Sequence, residues 1–281
     1  MNKNKNIITF FLLTLLSFSC SKKDNGNFDD AKDDEETFED VDVPIEGLIA
    51  YYPFNGNADD ESSNGNNGTT FGAVLSTDRF GNDNAAFQFD GDNDYIEITP
   101  MSDVSAIGDF TFSVWTYLEQ WEIQSGFREL DRQYVFDGHA DSSTATDNFL
   151  RPGFNVEFVL SLTEQEQMQN SFFYATDDIL NNYLETNTNM PVKGQWYHIV
   201  WGRNGDQDFT YVNGDLMVQT YASKINKDTE LDMQHNWYIG TFSGNNPNYS
   251  EFNYNFHGKI DDIRFYDVAL EEKFIKALYR E

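Results

Sequence analysis

The chain has 281 residues, with 48 acidic against 18 basic side chains, a formal charge of −30, one cysteine and 16% aromatic residues. This balance argues against nucleic acid or an anionic membrane surface as a partner, because phosphate recognition needs clustered Lys and Arg. A cation is the natural counterpart, although acidic composition also serves solubility, and a lone cysteine excludes a disulfide framework and a thiolate metal cluster.

Residues 1–19 read as a secretory signal peptide: Lys3 and Lys5 form a charged leader, Ile7 to Phe18 an apolar run, and the exit carries small residues. About a dozen apolar residues fall short of the roughly 20 that span a bilayer, so the segment is a processing signal and not a membrane helix. The stretch Leu16-Ser17-Phe18-Ser19-Cys20 resembles a lipobox, with Ser17 standing where an aliphatic residue is usual. The resemblance implies acylation of Cys20 and anchoring in a lipid bilayer, each buried methylene adding about 0.8 kcal/mol. Residues 20–46 form an acidic tether, including Asp29-Asp30 and Asp33-Asp34-Glu35-Glu36, too poor in apolar surface to offset chain entropy. An acidic stretch directly after such a cysteine resembles lipoproteins exported to the outer surface of some Gram-negative bacteria, which places the chain at the outer membrane. It serves equally as a solubilising linker.

Residues 47–281 form one domain of about 235 residues, a size that single all-β sandwiches reach. Its strands show as period-two alternations bounded by turn residues. In Phe110-Thr111-Phe112-Ser113-Val114-Trp115, Phe110, Phe112 and Val114 share one face while Thr111, Ser113 and Trp115 share the other, which predicts a sheet with one dry face. Trp196-Tyr197-His198-Ile199-Val200-Trp201 is apolar on both faces and predicts a central strand covered on both sides. Asn213-Gly214, between Phe209-Thr210-Tyr211-Val212 and Asp215-Leu216-Met217-Val218, predicts a hairpin, since a type I′ turn needs positive φ at both central positions. Trp237 to Gly240 and Lys259 to Tyr266 add two strands. Val268 to Arg280 alone has helical spacing, with Asp267 as N-cap and Leu270, Phe274, Ile275 and Leu278 on one stripe, and this helix is expected to close the end of the sandwich.

Taken in order, several segments resemble a known family. Gly47 to Ala58 with Asp60 to Gly68, Ala86 to Ile96, the Trp196-Tyr197-His198-Ile199-Val200 strand, the Tyr211-Val212-Asn213-Gly214 hairpin and Gly258 to Arg264 are similar to the laminin-G-like jelly-roll domains of bacterial surface proteins. The resemblance implies an all-β fold of two antiparallel sheets in jelly-roll order, related to concanavalin A, with a short C-terminal helix. It fixes no function, because this fold hosts lectins, adhesion modules and enzymes. Between residues 119 and 190 the chain is longer than such domains usually are, with a Gln/Glu-rich stretch at Glu164 to Gln169 and an Asn-rich one at Asn181 to Asn189, and loops are where scaffolds of this kind carry recognition.

The same resemblance implies a structural calcium held by the carbonyl of Phe54 or a neighbour, by Gly91 and by Asp262, with Asp60 as a further carboxylate. Calcium takes six to eight oxygens at about 2.3–2.6 Å. Asp59-Asp60 and Asp90 to Asp94 read equally as turn chemistry, in which Asp and Asn satisfy nearby backbone N–H groups. Asp90-x-Asp92-x-Asp94 is not an EF-hand, since Tyr95 stands where that loop needs glycine. For glycoside hydrolysis, related enzymes carry Glu-x-Asp-x-Glu on one strand. Glu129-Leu130-Asp131-Arg132-Gln133 comes nearest, but Gln133 cannot act as acid or nucleophile, which leaves only an active site of another kind, with His139 or His257. His198 reads as a packed strand residue, and His235 has no ligand-like spacing to the other three. Trp121, Tyr249, Phe252 and Tyr254 stand in or beside loops rich in Asn and Ser, a composition that suits stacking on sugar rings, and each reads also as a cap on the sandwich edge.

The expectation is therefore a surface lipoprotein whose domain binds carbohydrate, as the capture partner of a polysaccharide-uptake system. A protein-binding adhesion module, docking through a sandwich face or through residues 119–190, and a hydrolase with a non-standard site are the alternatives.

Overall fold

The computed structural model describes residues 41–99, 106–120, 130–138, 153–161, 166–173, 183–189, 193–221, 231–232, 235–242 and 254–281. In chain order these form β1 (Leu48–Tyr52), β2 (Gly68–Phe71), β3 (Val74–Ser76), β4 (Ala86–Asp90), β5 (Tyr95–Ile98), β6 (Ala106–Ile107), β7 (Phe110–Leu118), β8 (Leu130–Asp137) and β9 (Gly153–Ser161). There follow β10 (Glu166–Phe173), β11 (Tyr183–Asn189), β12 (Trp196–Asn204), β13 (Gln207–Val212), β14 (Asp215–Tyr221), β15 (Leu231–Asp232), β16 (Trp237–Ile239), β17 (His257–Tyr266) and the helix α1 (Glu272–Arg280).

An eight-stranded sheet runs β14-β13-β12-β7-β17-β4-β3, with β1 beside the far half of β17, and a seven-stranded sheet runs β11-β10-β9-β8-β16-β5-β2. Every pairing between these strands is antiparallel. Neighbours such as β7 and β17 are distant in sequence, the crossing order of a jelly roll. The predicted all-β sandwich with a short C-terminal helix is the fold observed.

Alternation along each strand builds the interior. Phe112, Val114, Ile199, Trp201, Ile260 and Phe265 of one sheet meet Ile96, Ile98, Val135, Phe136, Trp237 and Ile239 of the other in one buried cluster. Rings bridge the sheets, Phe112 against Phe136 at 4.6 Å and Trp237 against Phe265 at 4.9 Å. Each such buried side chain contributes about 1.5–3 kcal/mol. The predicted hairpin turn is present, with Asn213 at φ 53° and Gly214 at φ 81°.

Three expectations are corrected. The outer face of β7 is buried as well as the inner one, because α1 lies on it: Val200, Tyr211 and Tyr266 pack with Leu270, Ile275 and Leu278 in a second cluster. The helix thus covers the outer face of the eight-stranded sheet and does not close an end of the sandwich. It also begins at Glu272 and not at Val268, with Glu271 as N-cap. The reason is local: Thr111 Oγ1 donates to the carbonyl of Val268 (2.9 Å) and accepts from the N–H of Leu270 (2.8 Å), holding that stretch out of the helix beside β7. Val43 packs on the same cluster, and Tyr266 Oη donates to the carbonyl of Pro44, so the packed part of the chain includes residues placed by sequence in the tether.

Candidate functional site

Beyond the reach of α1 the outer face of the eight-stranded sheet carries a row of side chains fixed by register. Trp196 stands opposite Tyr117, Tyr117 opposite Lys259, Lys259 opposite Gln88, and Gln88 opposite Val74. The inward neighbours of these residues are core, so parity alone sends the row outward. Trp196, Tyr117, Lys259 and Gln88 are half-buried and Val74 is exposed. The Tyr117 and Trp196 rings lie 5.7 Å apart at 56°, so neither covers the face of the other. Gln88 Nε2 donates to Glu119 Oε2 (3.0 Å), and Lys259 Nζ donates to Thr77 Oγ1 (2.9 Å). A parallel row holds Glu119, whose N–H donates to the carbonyl of His257 (2.9 Å), and His257 opposite Asp90. Two rings beside an amide, an ammonium and carboxylates present apolar faces next to donors and acceptors, the make-up of a site for a polyhydroxyl ligand.

Next to the row, on the side of the helix, the face is closed by charge. A β-bulge in β17, with Asp262 at φ 45°, sends the carboxylates of Asp261 and Asp262 the same way, and Arg79 Nη1 lies 2.6 Å from each. Burial, and then the charge of Asp262, pushes Asp261 up to about 8. Arg264 pairs with Glu281 (2.5 Å) and lies over the Tyr51 ring. His198 shares a hydrogen bond with Ser113 (2.8 Å), but its Nδ1 is buried without a partner, and burial holds the imidazole down to about 3. With 1% of its surface exposed beneath Trp115 and Tyr279, this pair cannot meet a substrate.

Of the residues assigned to calcium, Phe54, Asp60 and Asp262 have partners within the protein. The carboxylate of Asp60 is taken up by the N–H groups of Tyr51, Ser62 and Asn66 and by the hydroxyl of Ser62, at 2.8–2.9 Å. The carbonyl of Phe54 accepts from Gly56 in a tight turn, and Asp262 is engaged by Arg79 and by the Tyr51 hydroxyl. Gly91 follows Asp90, which pairs with His257, so Asp262 lies five residues further along β17, about 16 Å away. Asp90 and Asp94 accept the N–H groups of Asp92 and Asp90, the turn chemistry read as the other possibility for this segment. Among the described residues no three His, Cys, Asp or Glu side chains converge on one point.

Tyr254 packs on Tyr134 (5.6 Å) and Phe242 (5.8 Å) against the seven-stranded sheet, apart from the row; Cys20, Trp121, Glu129, His139, Tyr249 and Phe252 lie outside the described residues. Gln133 turns inward, donating to the carbonyl of Gln120 and accepting from the N–H of His257. A second aromatic line, Phe71, Tyr95 and Tyr238, crosses the seven-stranded sheet, but Phe71 and Tyr95 are stacked on each other at 4.6 Å and 14°, which hides one face of each. Sequence reasoning missed Tyr117, Trp196, Gln88 and Lys259. The signal was present in parity: Tyr117 follows Trp115, and Trp196 precedes His198, by two positions each.

A model of the Laminin_G_3 family, described as the concanavalin A-like lectin/glucanases superfamily, matches residues 90–276. No protein of curated function matches the sequence. Among solved structures, the fold is similar to domain 4 of AbnA, a GH43 extracellular arabinanase from Geobacillus stearothermophilus, in complex with arabinotriose: TM-score 0.55, 17% identity, covering 83% of this chain and 98% of that one. It is also similar to the botulinum neurotoxin serotype D ligand binding domain in complex with N-acetylneuraminic acid (TM-score 0.58, 13% identity, 84% of this chain and 51% of that one). The botulinum neurotoxin serotype G binding domain gives 0.58 and 13%, over 83% and 50%. The chain thus spans about half the length of these toxin domains.

Proposed function

Because the chain belongs to the Laminin_G_3 family of the concanavalin A-like lectin/glucanases superfamily, we propose that it is a carbohydrate-binding protein whose site is the row Trp196, Tyr117, Lys259, Gln88. The observation that carries this reading is the pair of unstacked, half-buried rings with an amide, an ammonium and carboxylates in register beside them. Rings of this kind take the C–H face of a sugar, while the polar groups hydrogen-bond its hydroxyls. The arabinotriose and N-acetylneuraminic acid complexes of the two similar folds support the ligand class. The row holds both a cation and carboxylates within a chain of charge −30, which favours a neutral glycan over a polyanion. The protein is held by Cys20 at the outer membrane and captures polysaccharide for uptake, without cleaving it.

Affinity electrophoresis through gels containing neutral plant and marine polysaccharides tests the reading. At least one polysaccharide retards the native chain, Trp196→Ala and Tyr117→Ala each weaken retardation about tenfold, and the polysaccharide is recovered unshortened. Equal retardation of native and substituted chains removes the site, and release of reducing ends removes the non-catalytic role.

A further inference from the structure

We infer that the row reads an internal stretch of an extended glycan chain, with Phe80 as an additional sugar-stacking ring that raises affinity for longer chains; this rests on the carbohydrate reading above. The row crosses five neighbouring strands, and four spacings of about 4.8 Å give it a length of about 19 Å. A single sugar ring, about the size of a phenyl group, covers only a part of that.

Phe80 stands in the loop between β3 and β4 and is 66% exposed, although its position is fixed. Asp78 Oδ1 accepts the N–H groups of Phe80 and Asn82, both at 2.8 Å, and Asp78 Oδ2 accepts the Asn82 side-chain amide (2.8 Å). The guanidinium of Arg79 lies between two rings, 4.5 Å from the centre of Phe80 and 4.6 Å from that of Trp115, while its Nη1 is clamped by Asp261 and Asp262. Thr77, at the foot of the loop, holds Lys259 of the row. Trp115 is two residues from Tyr117 on the same face, so the Phe80 ring stands along the flank of the row. With its backbone held by Asp78 and one face resting on Arg79, the ring loses less freedom when a ligand stacks on it than a ring on an unanchored loop would. Arg79 covers only one face of the ring.

The test is calorimetric titration of the full chain with length series of linear arabino-, xylo- and cello-oligosaccharides. The affinity of the native chain rises with length, and Phe80→Ala lowers it about tenfold for the longest member while leaving the disaccharide within twofold. Phe80→Tyr restores the length dependence, and both variants keep the native melting temperature. If Phe80→Ala has no effect at any length, or affinity is already complete at the disaccharide, while Trp196→Ala abolishes binding, the inference falls and the site stands. If the native chain binds none of the probes, nor any polysaccharide in the gels, the carbohydrate reading itself falls.

Discussion

Arg79 answers a demand created by two adjacent acids in a buried bulge. A guanidinium stands between Asp261 and Asp262, 2.6 Å from each. Asp208 has no comparable help: it is fully buried on β13, both carboxylate oxygens lack a hydrogen-bond partner, and burial pushes it up to about 7 against the attraction of Arg203. A carboxyl whose proton is held more tightly in the folded state costs stability as pH rises from its unfolded value near 4 through its folded one. His198, held down to about 3, acts oppositely, losing stability as pH falls below 6.5. Between pH 6.5 and 8 the two aspartates therefore decide the sign, and thermal stability declines across that window. Asp208→Asn is expected to raise stability by roughly 2–4 kcal/mol at pH 8, since a tenfold change in equilibrium is worth about 1.4 kcal/mol, with the gain vanishing near pH 4. Melting curves of the two chains at both pH values check this, and equal gains at both would contradict it.

At the level of elements, α1 decides what part of the outer face remains for a ligand. Ile275 and Leu278 seal Val200 and Tyr211, and Tyr279 stacks on Trp115 at 5.6 Å, so the helix ends where the exposed row begins. Ile275→Ala is expected to cost about 2–5 kcal/mol in denaturant unfolding, since the ring and aliphatic groups around it belong to two elements that cannot collapse into the gap together. A loss below about 1 kcal/mol would mean that the helix is only loosely seated. The strands themselves were legible, because Phe110, Phe112 and Val114 or Asn213-Gly214 encode parity and turn sign locally. The helix start was not, since Asp267 and Val268 look helical in sequence but Val268 is held out of the helix by Thr111, 157 residues away. The row was half legible. Parity placed Trp115 on the outer face of its strand, but the strand of Trp196 was read as covered on both sides, and only the position of α1 separates the covered Trp115 from the half-buried Trp196. The calcium residues were carried over from a resemblance, and the contact of Arg79, from a different loop, with Asp262 was not legible in the sequence.

For the whole molecule, charge and tether act together. A chain of −30 repels polyanions and other copies of itself, which fits the proposed capture of neutral polysaccharide. The proposed capture serves uptake only if the captured chain stays at the cell; among the described residues the helix α1 is packed against the sheet. On the reading proposed above Cys20 would supply the hold, since several acyl chains on one residue bury enough methylenes, at about 0.8 kcal/mol each, to make release slow. Cys20→Ser is accordingly expected to abolish incorporation of labelled palmitate and to move the protein from the membrane fraction to the soluble one. Affinity for oligosaccharides in the calorimeter remains unchanged, because residue 20 lies far in sequence from Tyr117 and Trp196. Labelling that persists in Cys20→Ser, or a native chain found wholly in the soluble fraction, would remove the anchor and with it the assignment to the outer membrane, leaving the sugar site to be judged on its own.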